Sequence, residues 1–525
     1  MFPASKRRMT ITTAKRDRAL LLTPLALAAL LLSAECRADW KFIPTAGVTE
    51  TYTDNPGLQR DEFAHGQFVS EAMAGFALTE KSPRLRLSAF GRVHQFAYTD
   101  GNQPNLNDRE HDYGATALAK LTDDLFLDMA ASGGPQSISA FGPQVSDNLY
   151  SMGNRTTINT WRISPYIQHH YGNTFDMLLR YSRDGVDAGA NNPFGSSTAS
   201  TGNLNLTSGT AFRNLGWGVS YTHQDLQNRL AGPSSSSNVL GNLSLRYSPQ
   251  LSATASAGYD KYDYQSLGGR TAGRSWSAGF IWTPSSRTSL QASVGRHYFG
   301  KTGALAASHH SRHSVWSINY SDAITTSRDQ FLLPSAIDTA ALLDTLFKAS
   351  IPDPVLRQQA VQAYLQTTGL PPSLANNVNY LSNRYLRQKQ LQAAVAFNWS
   401  RSSLVTTLFR TERTALSLRE SDSALLGSSL STLNDNTLQR GLSSVFTYRL
   451  SSRTIGTATA ELDHVTSLDT GIKQNRRLLR VGMTRRLEQR LNVALDLRHV
   501  QGGTDAGPFQ SYSENAISAS LSAQF

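Results

Sequence analysis

A period of two in hydrophobicity, repeated in one short segment after another, constrains this chain more than any other feature. In residues 84–93, Leu85, Leu87, Ala89 and Val93 interleave with Arg84, Arg86, Ser88 and Arg92. Trp161, Ile163, Pro165 and Ile167 alternate with Arg162, Ser164, Tyr166 and Gln168. Leu491, Val493, Leu495 and Leu497 alternate with Asn492, Ala494, Asp496 and Arg498. Each reads as a strand with one apolar and one polar face. Such segments recur from residue 41 to residue 525. No stretch after residue 38 approaches the 18 or so consecutive apolar residues of a spanning helix. A soluble sandwich or a membrane barrel remains.

Composition and connections separate these two. Charged residues make up 17% and hydrophobic ones 39% of the 525 residues, low against about 25% charged in a typical globular domain. That suits a wall one residue thick, with lipid on one side and water on the other. Tight connections at 79–83, 122–124, 171–173, 213–215, 248–250, 284–286, 401–403, 451–452 and 488–489 alternate with long polar ones. The long ones lie at 100–110, 133–153, 185–200, 227–237, 421–438 and 501–511. Short periplasmic turns and long outer loops are the pattern of outer-membrane barrels. With residues 323–331 taken as a rising strand, the count is about 22, within a range of 18 to 24. The expected fold is an all-β, transmembrane, antiparallel up-and-down barrel.

The chain opens on a positive segment with Lys6, Arg7, Arg8, Lys15, Arg16 and Arg18, followed by an apolar stretch over 19–32. Small residues at Cys36 and Ala38 predict signal-peptide cleavage after Ala38, leaving 39–525 as the barrel. Cys36 is the only cysteine, and Glu35 before it speaks against a lipoprotein. The mature chain then has no thiol, disulfide or sulfur-ligated metal. It carries 43 basic and 37 acidic residues, net +6 rather than +11. At the other end Ile517, Ala519, Leu521, Ala523 and Phe525 alternate with small polar residues. That run resembles the signal read by the barrel-assembly machinery, which makes this machinery and outer-membrane lipid expected partners.

Residues 333–378 break the strand pattern. Ile337, Ala340, Ala341 and Leu343 have helical spacing, Asp353-Pro354 is a helix start and Gly369 a stop. Strand parity puts this two-helix insertion in an extracellular loop, either as a surface decoration or as a lid on the mouth. Trp217, Trp276, Trp282 and Trp399 are expected interface aromatics; Trp276 and Trp282 share a face with Phe280.

The polar strand faces carry Arg84, Arg86, Arg92, His94, Arg162, Arg180, Arg449, Arg480, Arg486 and Arg498, the expected lumen lining. An arginine on the lipid face near the midplane would cost about 2–4 kcal/mol. These cations would either favour anions or brace the wall by pairing with acids such as Asp176, Asp496 and Glu514. His309, His310 and His313 are the best metal candidates. In one strand the first and last sit about 13 Å apart, too far to share an ion at Zn–N distances of about 2 Å. His169-His170 point to opposite faces. No nucleophile-elbow, zincin, phosphate-loop or dinucleotide pattern occurs. Neither enzyme, cofactor, metal nor nucleic acid is expected.

Several blocks resemble the PEP-CTERM system-associated outer-membrane β-barrel family of exopolysaccharide loci. They are WKFIPTAGVTETYTDN (40–55), Ser164-Pro165-Tyr166, WTPSSRTSLQASVGRHYFG (282–300), HHSRHSVWSINY (309–320) and Ser513-Glu514-Asn515-Ala516. The resemblance implies the outer membrane of a Gram-negative bacterium and an association with exopolysaccharide production, with no catalytic residues. The expectation is a pore or secretion component for exopolysaccharide export, with anionic polysaccharide and export components as partners. A general diffusion porin and a non-conducting anchoring barrel are the alternatives. A TonB-dependent transporter needs an amino-terminal plug domain, whereas strand-like sequence begins here within a few residues of Asp39.

Overall fold

The structure is a computed structural model that describes residues 40–101, 106–146, 148–189, 194–229, 231–267, 269–332, 379–418, 433–505 and 511–525. The expected signal peptide and helical insertion lie outside these residues. Twenty-two strands form one sheet. In chain order they begin with β1 (Lys41–Thr53), β2 (Gln67–Lys81), β3 (Leu85–Tyr98), β4 (Arg109–Lys120), β5 (Leu125–Ser137), β6 (Arg155–Tyr171) and β7 (Phe175–Asp187). There follow β8 (Ser196–Ser208), β9 (Leu215–Asn228), β10 (Gly232–Arg246), β11 (Leu251–Asp263), β12 (Ala272–Ser285), β13 (Thr288–His297), β14 (Gly300–His310) and β15 (Ser314–Thr326). A six-residue helix α1 (Ser327–Leu332) comes next. The wall is completed by β16 (Tyr385–Asn398), β17 (Ser402–Ala415), β18 (Thr437–Arg449), β19 (Thr454–Ser467), β20 (Lys473–Arg486), β21 (Leu491–Thr504) and β22 (Tyr512–Gln524). Each strand pairs antiparallel with its neighbours in sequence, and β1 pairs with both β2 and β22. The sheet is therefore a closed transmembrane barrel with no free edge, which leaves no backbone donor or acceptor facing lipid.

All strands but β13 and β14, which have 10 and 11 residues, run to 12–17 residues. They exceed the roughly 9–11 that a tilted strand needs to cross a bilayer, so most of the wall projects beyond the lipid. At one end every connection between strands has two to six residues. At the other they run from two to 58. Apolar side chains on the outer face are well exposed, Val294 at 68% and Leu497 at 52% among them. Lipid, not protein, is their physical partner. Outward-facing charges such as Lys389 and Arg440 belong to the half of their strands nearer the long-connection end, where the wall leaves the lipid.

Two sequence expectations are corrected. Residues 227–237 are a hairpin rather than a long loop: β9 reaches Asn228 and pairs with Gly232 at the start of β10. Ser235 and Ser237, facing outward near the mouth, hid the strand because nothing apolar is required there. Residues 323–331 are not a strand of their own. Ala323–Thr326 ends β15, and Ser327 opens α1 under a Thr326 cap: its hydroxyl accepts from the Asp329 amide at 3.1 Å and donates to the Asp329 carboxylate at 2.7 Å. That reciprocal capping signature, Thr-x-x-Asp, was present in the sequence.

Candidate functional site

The inner face is fixed by the connections that cross the interior to reach it. The 138–154 connection, between β5 and β6, runs to strands well round the wall. The Gly142 amide donates to Gln474 of β20, the Arg476 guanidinium donates to Ser146 at 3.0 Å, and the Tyr150 hydroxyl donates to Glu514 of β22 at 3.1 Å. From the far side, Arg328 of α1 reaches Asp184 of β7 and Ser197 of β8. Residues 379–384 join them: Leu381 donates its amide to the Ile138 carbonyl at 3.1 Å, and Arg384 pairs with Asp435 at 2.5 Å.

These segments fill the long-connection end of the lumen. Ala140, Phe141 and Tyr380, all fully buried, pack with Leu433 and Val465. Ile158, Val186, Phe194 and Leu381 form a second cluster, against which Phe331 and Leu332 of α1 rest. Leu58 joins Leu478, Val500 and Tyr512, and Tyr150 joins Val69 and Phe96. The barrel thus has apolar cores inside its mouth, although its wall alone has none. Below them the inner face returns to small polar side chains, such as Asn203 donating to Thr222 at 2.8 Å and Ser256 bonded to Ser277 at 2.6 Å.

Register puts Arg86, Arg92, His94, Arg162, Arg180, Arg449, Arg480, Arg486 and Arg498 on the inner face; Arg84 lies in the turn before β3. They divide by height. Those in the middle and upper wall are paired: Arg92 with Asp112 at 2.6 Å, Arg180 with Asp128 at 3.0 Å, Arg162 near the same carboxylate at 3.9 Å, Arg480 with Asp496 at 3.0 Å and Arg498 with Glu514 at 2.8 Å. Arg180 also lies 4.2 Å from the centre of the Tyr166 ring, and His94 meets Glu71 at 2.6 Å. Arg86, Arg449 and Arg486, at the short-turn end, have no carboxylate partner among the described residues, and Arg84 there acts only on exposed Asp123. Asp176 bonds His170 at 2.6 Å rather than an arginine.

Glu514 is the hub. Fully buried, it accepts from Thr53 at 2.8 Å, Arg498 at 2.8 Å, Tyr150 at 3.1 Å and Asn148 at 3.4 Å. One carboxylate therefore ties β1, β21, β22 and the inward connection together. Burial beside it pushes the Tyr150 phenol well above its ordinary range. The sequence reading did not single out Arg155, Arg328, Arg384, Arg413 and Arg476. They stand in connections or at strand ends where both faces are polar, so alternation gave no sign of them. Buried Arg413 instead lies 4.9 Å from the Tyr380 ring.

Trp276 and Trp282 face outward on β12 with Phe280, Trp217 lies near the start of β9 against Phe212 and Phe175, and Trp399 stacks on Phe397 in the turn after β16. Trp316, which crosses Phe397 edge-on at 5.7 Å, belongs with them. Ile517, Ala519, Leu521 and Ala523 point outward on β22, whose inner-face residues Ser518, Ser520 and Ser522 pair with β1. The Phe525 amide donates to the Pro44 carbonyl at 3.0 Å. The turn at 311–313 separates His313 from His309, which bonds Thr288 at 2.9 Å. Among the described residues no group of three His, Cys, Asp or Glu could hold a metal.

No protein-family model and no curated protein matches the chain. Among solved structures it is similar to the FrpB iron transporter from Neisseria meningitidis (F3-3 variant). Identity there is 10%, coverage is 95% of this chain and 83% of that one, and the TM-score is 0.49. It is also similar to the siderophore receptor PirA from Pseudomonas aeruginosa, at 10% identity over 92% of this chain and 80% of that one, with a TM-score of 0.43. Likenesses this distant carry nothing about what either lumen holds.

Proposed function

We propose that the protein is a gated outer-membrane channel of a Gram-negative bacterium, delivered by a signal peptide and serving exopolysaccharide export. The observation that supports it best is the division of the lumen. A polar passage at the short-turn end, periplasmic in this reading, runs up to a mouth occupied by inward-folded connections. Both flanks of the 333–378 insertion enter that mouth, which favours a lid over a surface decoration. The export role rests on the family resemblance. The chemistry is positional: width and lining charge select, and no residue forms a covalent bond.

Conductance of the refolded barrel in planar bilayers, with and without residues 333–378, tests the reading. Deletion should raise conductance. A barrel silent in both forms would favour the anchoring reading, which the buried clusters in the mouth also accommodate. In the host, loss of the gene should lower surface polymer. Unchanged polymer with ordinary conductance to sugars and salts would favour a general porin.

A further inference from the structure

We propose that the short-turn mouth of the lumen is a binding ring for a polyanionic chain, a polymer with carboxylates or other fixed negative groups along its length. This deepens the channel reading and rests on it for direction of travel, but the binding itself does not require conduction.

Charge is segregated along the barrel axis. The short-turn end comprises residues 40–42 and each tight connection with the last two residues of its flanking strands. It holds fifteen lysines and arginines against five aspartates and glutamates. The rest of residues 39–525 holds 28 against 32. Lys41, Lys81, Arg86, Arg246, Arg449 and Arg486 face the lumen by register and are exposed, and none has a carboxylate partner among the described residues. Lys120 is the exception, held by exposed Asp123 at 2.9 Å; that contact lowers the Asp123 carboxyl.

Structural bracing does not account for this ring. Higher in the same lumen bracing arginines are paired with acids; here the six exposed lumen-facing cations have none within ion-pair distance among the described residues. Lys81 and Arg86 are direct cross-strand partners on the inner face, and like charges directly opposite destabilise a sheet. Lys41 lies on the next strand at the same level, its register partner Thr79 two residues from Lys81. An anion between them would remove that repulsion. Each exposed contact is worth little alone, about 0–1 kcal/mol, so a lone small anion gains little. The cations are spread over β1, β2, β3, β10, β18 and β20, so a chain with many charges meets several at once. Its local concentration also rises at a cationic opening with low-dielectric walls.

The test uses the full chain folded in detergent, with fluorescent polygalacturonate as probe and neutral dextran as control. Anisotropy should show salt-sensitive binding of polygalacturonate only. The variant Lys81→Gln/Arg86→Gln/Arg449→Gln/Arg486→Gln should lose affinity about tenfold or more, while Arg480→Gln, which removes a paired arginine, should bind as wild type. Heat-modifiable migration confirms folding; if the fourfold variant misfolds, Lys81→Gln and Arg86→Gln alone should each give part of the loss. Equal binding of dextran, or undiminished binding by the variants, overturns the proposal. So does capture of an acidic periplasmic protein by this rim when polygalacturonate binds no better than dextran. A barrel that is silent in bilayers yet shows the substitution-sensitive binding refutes the channel and keeps the ring. A conducting barrel that ignores polygalacturonate refutes the ring and keeps the channel.

Discussion

Arg86 and Arg498 look alike in the sequence, each an arginine on the polar face of an alternating strand, yet the structure predicts opposite consequences of losing them. Arg498→Met removes the one cation bonded to buried Glu514, leaving Thr53, Tyr150 and Asn148 as neutral donors. Breaking a buried pair from one side costs about 3–5 kcal/mol, because the remaining charge stays out of water. Three surviving donors place the expected loss at the lower end, about 3 kcal/mol. Adding Glu514→Gln removes the stranded charge, so the double variant should recover a coupling energy of about 1–3 kcal/mol. Urea titration of the refolded barrel, followed by tryptophan fluorescence and heat-modifiable migration, measures both. Since Glu514 also holds the 138–154 connection, Arg498→Met should raise conductance as the mouth loosens. Arg86→Met, which relieves the repulsion from Lys81 opposite it, should leave the urea midpoint in place or raise it slightly and shift the reversal potential towards cations. An Arg498→Met barrel within about 0.5 kcal/mol of wild type, the range of a neutral surface change, would refute this. So would a shifted selectivity with unchanged stability, which would make Arg498 part of the conducting surface.

Arg180→Met should cost only about 1 kcal/mol, because the pair it forms with Asp128 is partly exposed and Arg162 stands 3.9 Å from the same carboxylate; a loss like that of Arg498→Met in the same urea titration would contradict it. Single cysteines at Thr99 and Thr470 should react with an impermeant thiol reagent on intact cells, and those at Asp123 and Ser285 only once the outer membrane is opened; reversed labelling would invert the orientation. Phe525→Asp should leave the barrel unassembled in the periplasm, and normal heat-modifiable migration in outer-membrane fractions would show that the last residue is not part of the insertion signal.

What could be read from the sequence follows from what each part of the wall touches. Between lipid and water a strand must alternate, so the pattern of Leu491, Val493, Leu495 and Leu497 against Asn492, Asp496 and Arg498 states its own register, and β20–β22 pair as that pattern requires. Above the lipid the outer face meets water too, and the pattern fades. That is why Ser234–Ser237 resembled a loop and why Arg476, between Asn475 and Arg477, gave no sign of facing inward. The closure of the mouth is harder to read for a different reason. Its bonds join Arg328 to Asp184 across 144 residues, Ser139 to Asn434 across 295 and Tyr150 to Glu514 across 364. No local period encodes such distances, and each partner alone is an ordinary polar residue. Once the barrel is closed, however, a carboxylate on the inner face near the mouth has three partners open to it: water, a donor on a neighbouring strand, or a donor brought to it by a connection. Fully buried Glu514 has the last two. Arg498 is therefore held by the plugged mouth as well as by the wall, since it bonds Tyr150 and Glu514. Arg92, Arg180 and Arg480 instead pair with acids of the wall itself. The unpaired arginines at the short-turn end remain free to meet whatever enters from that side.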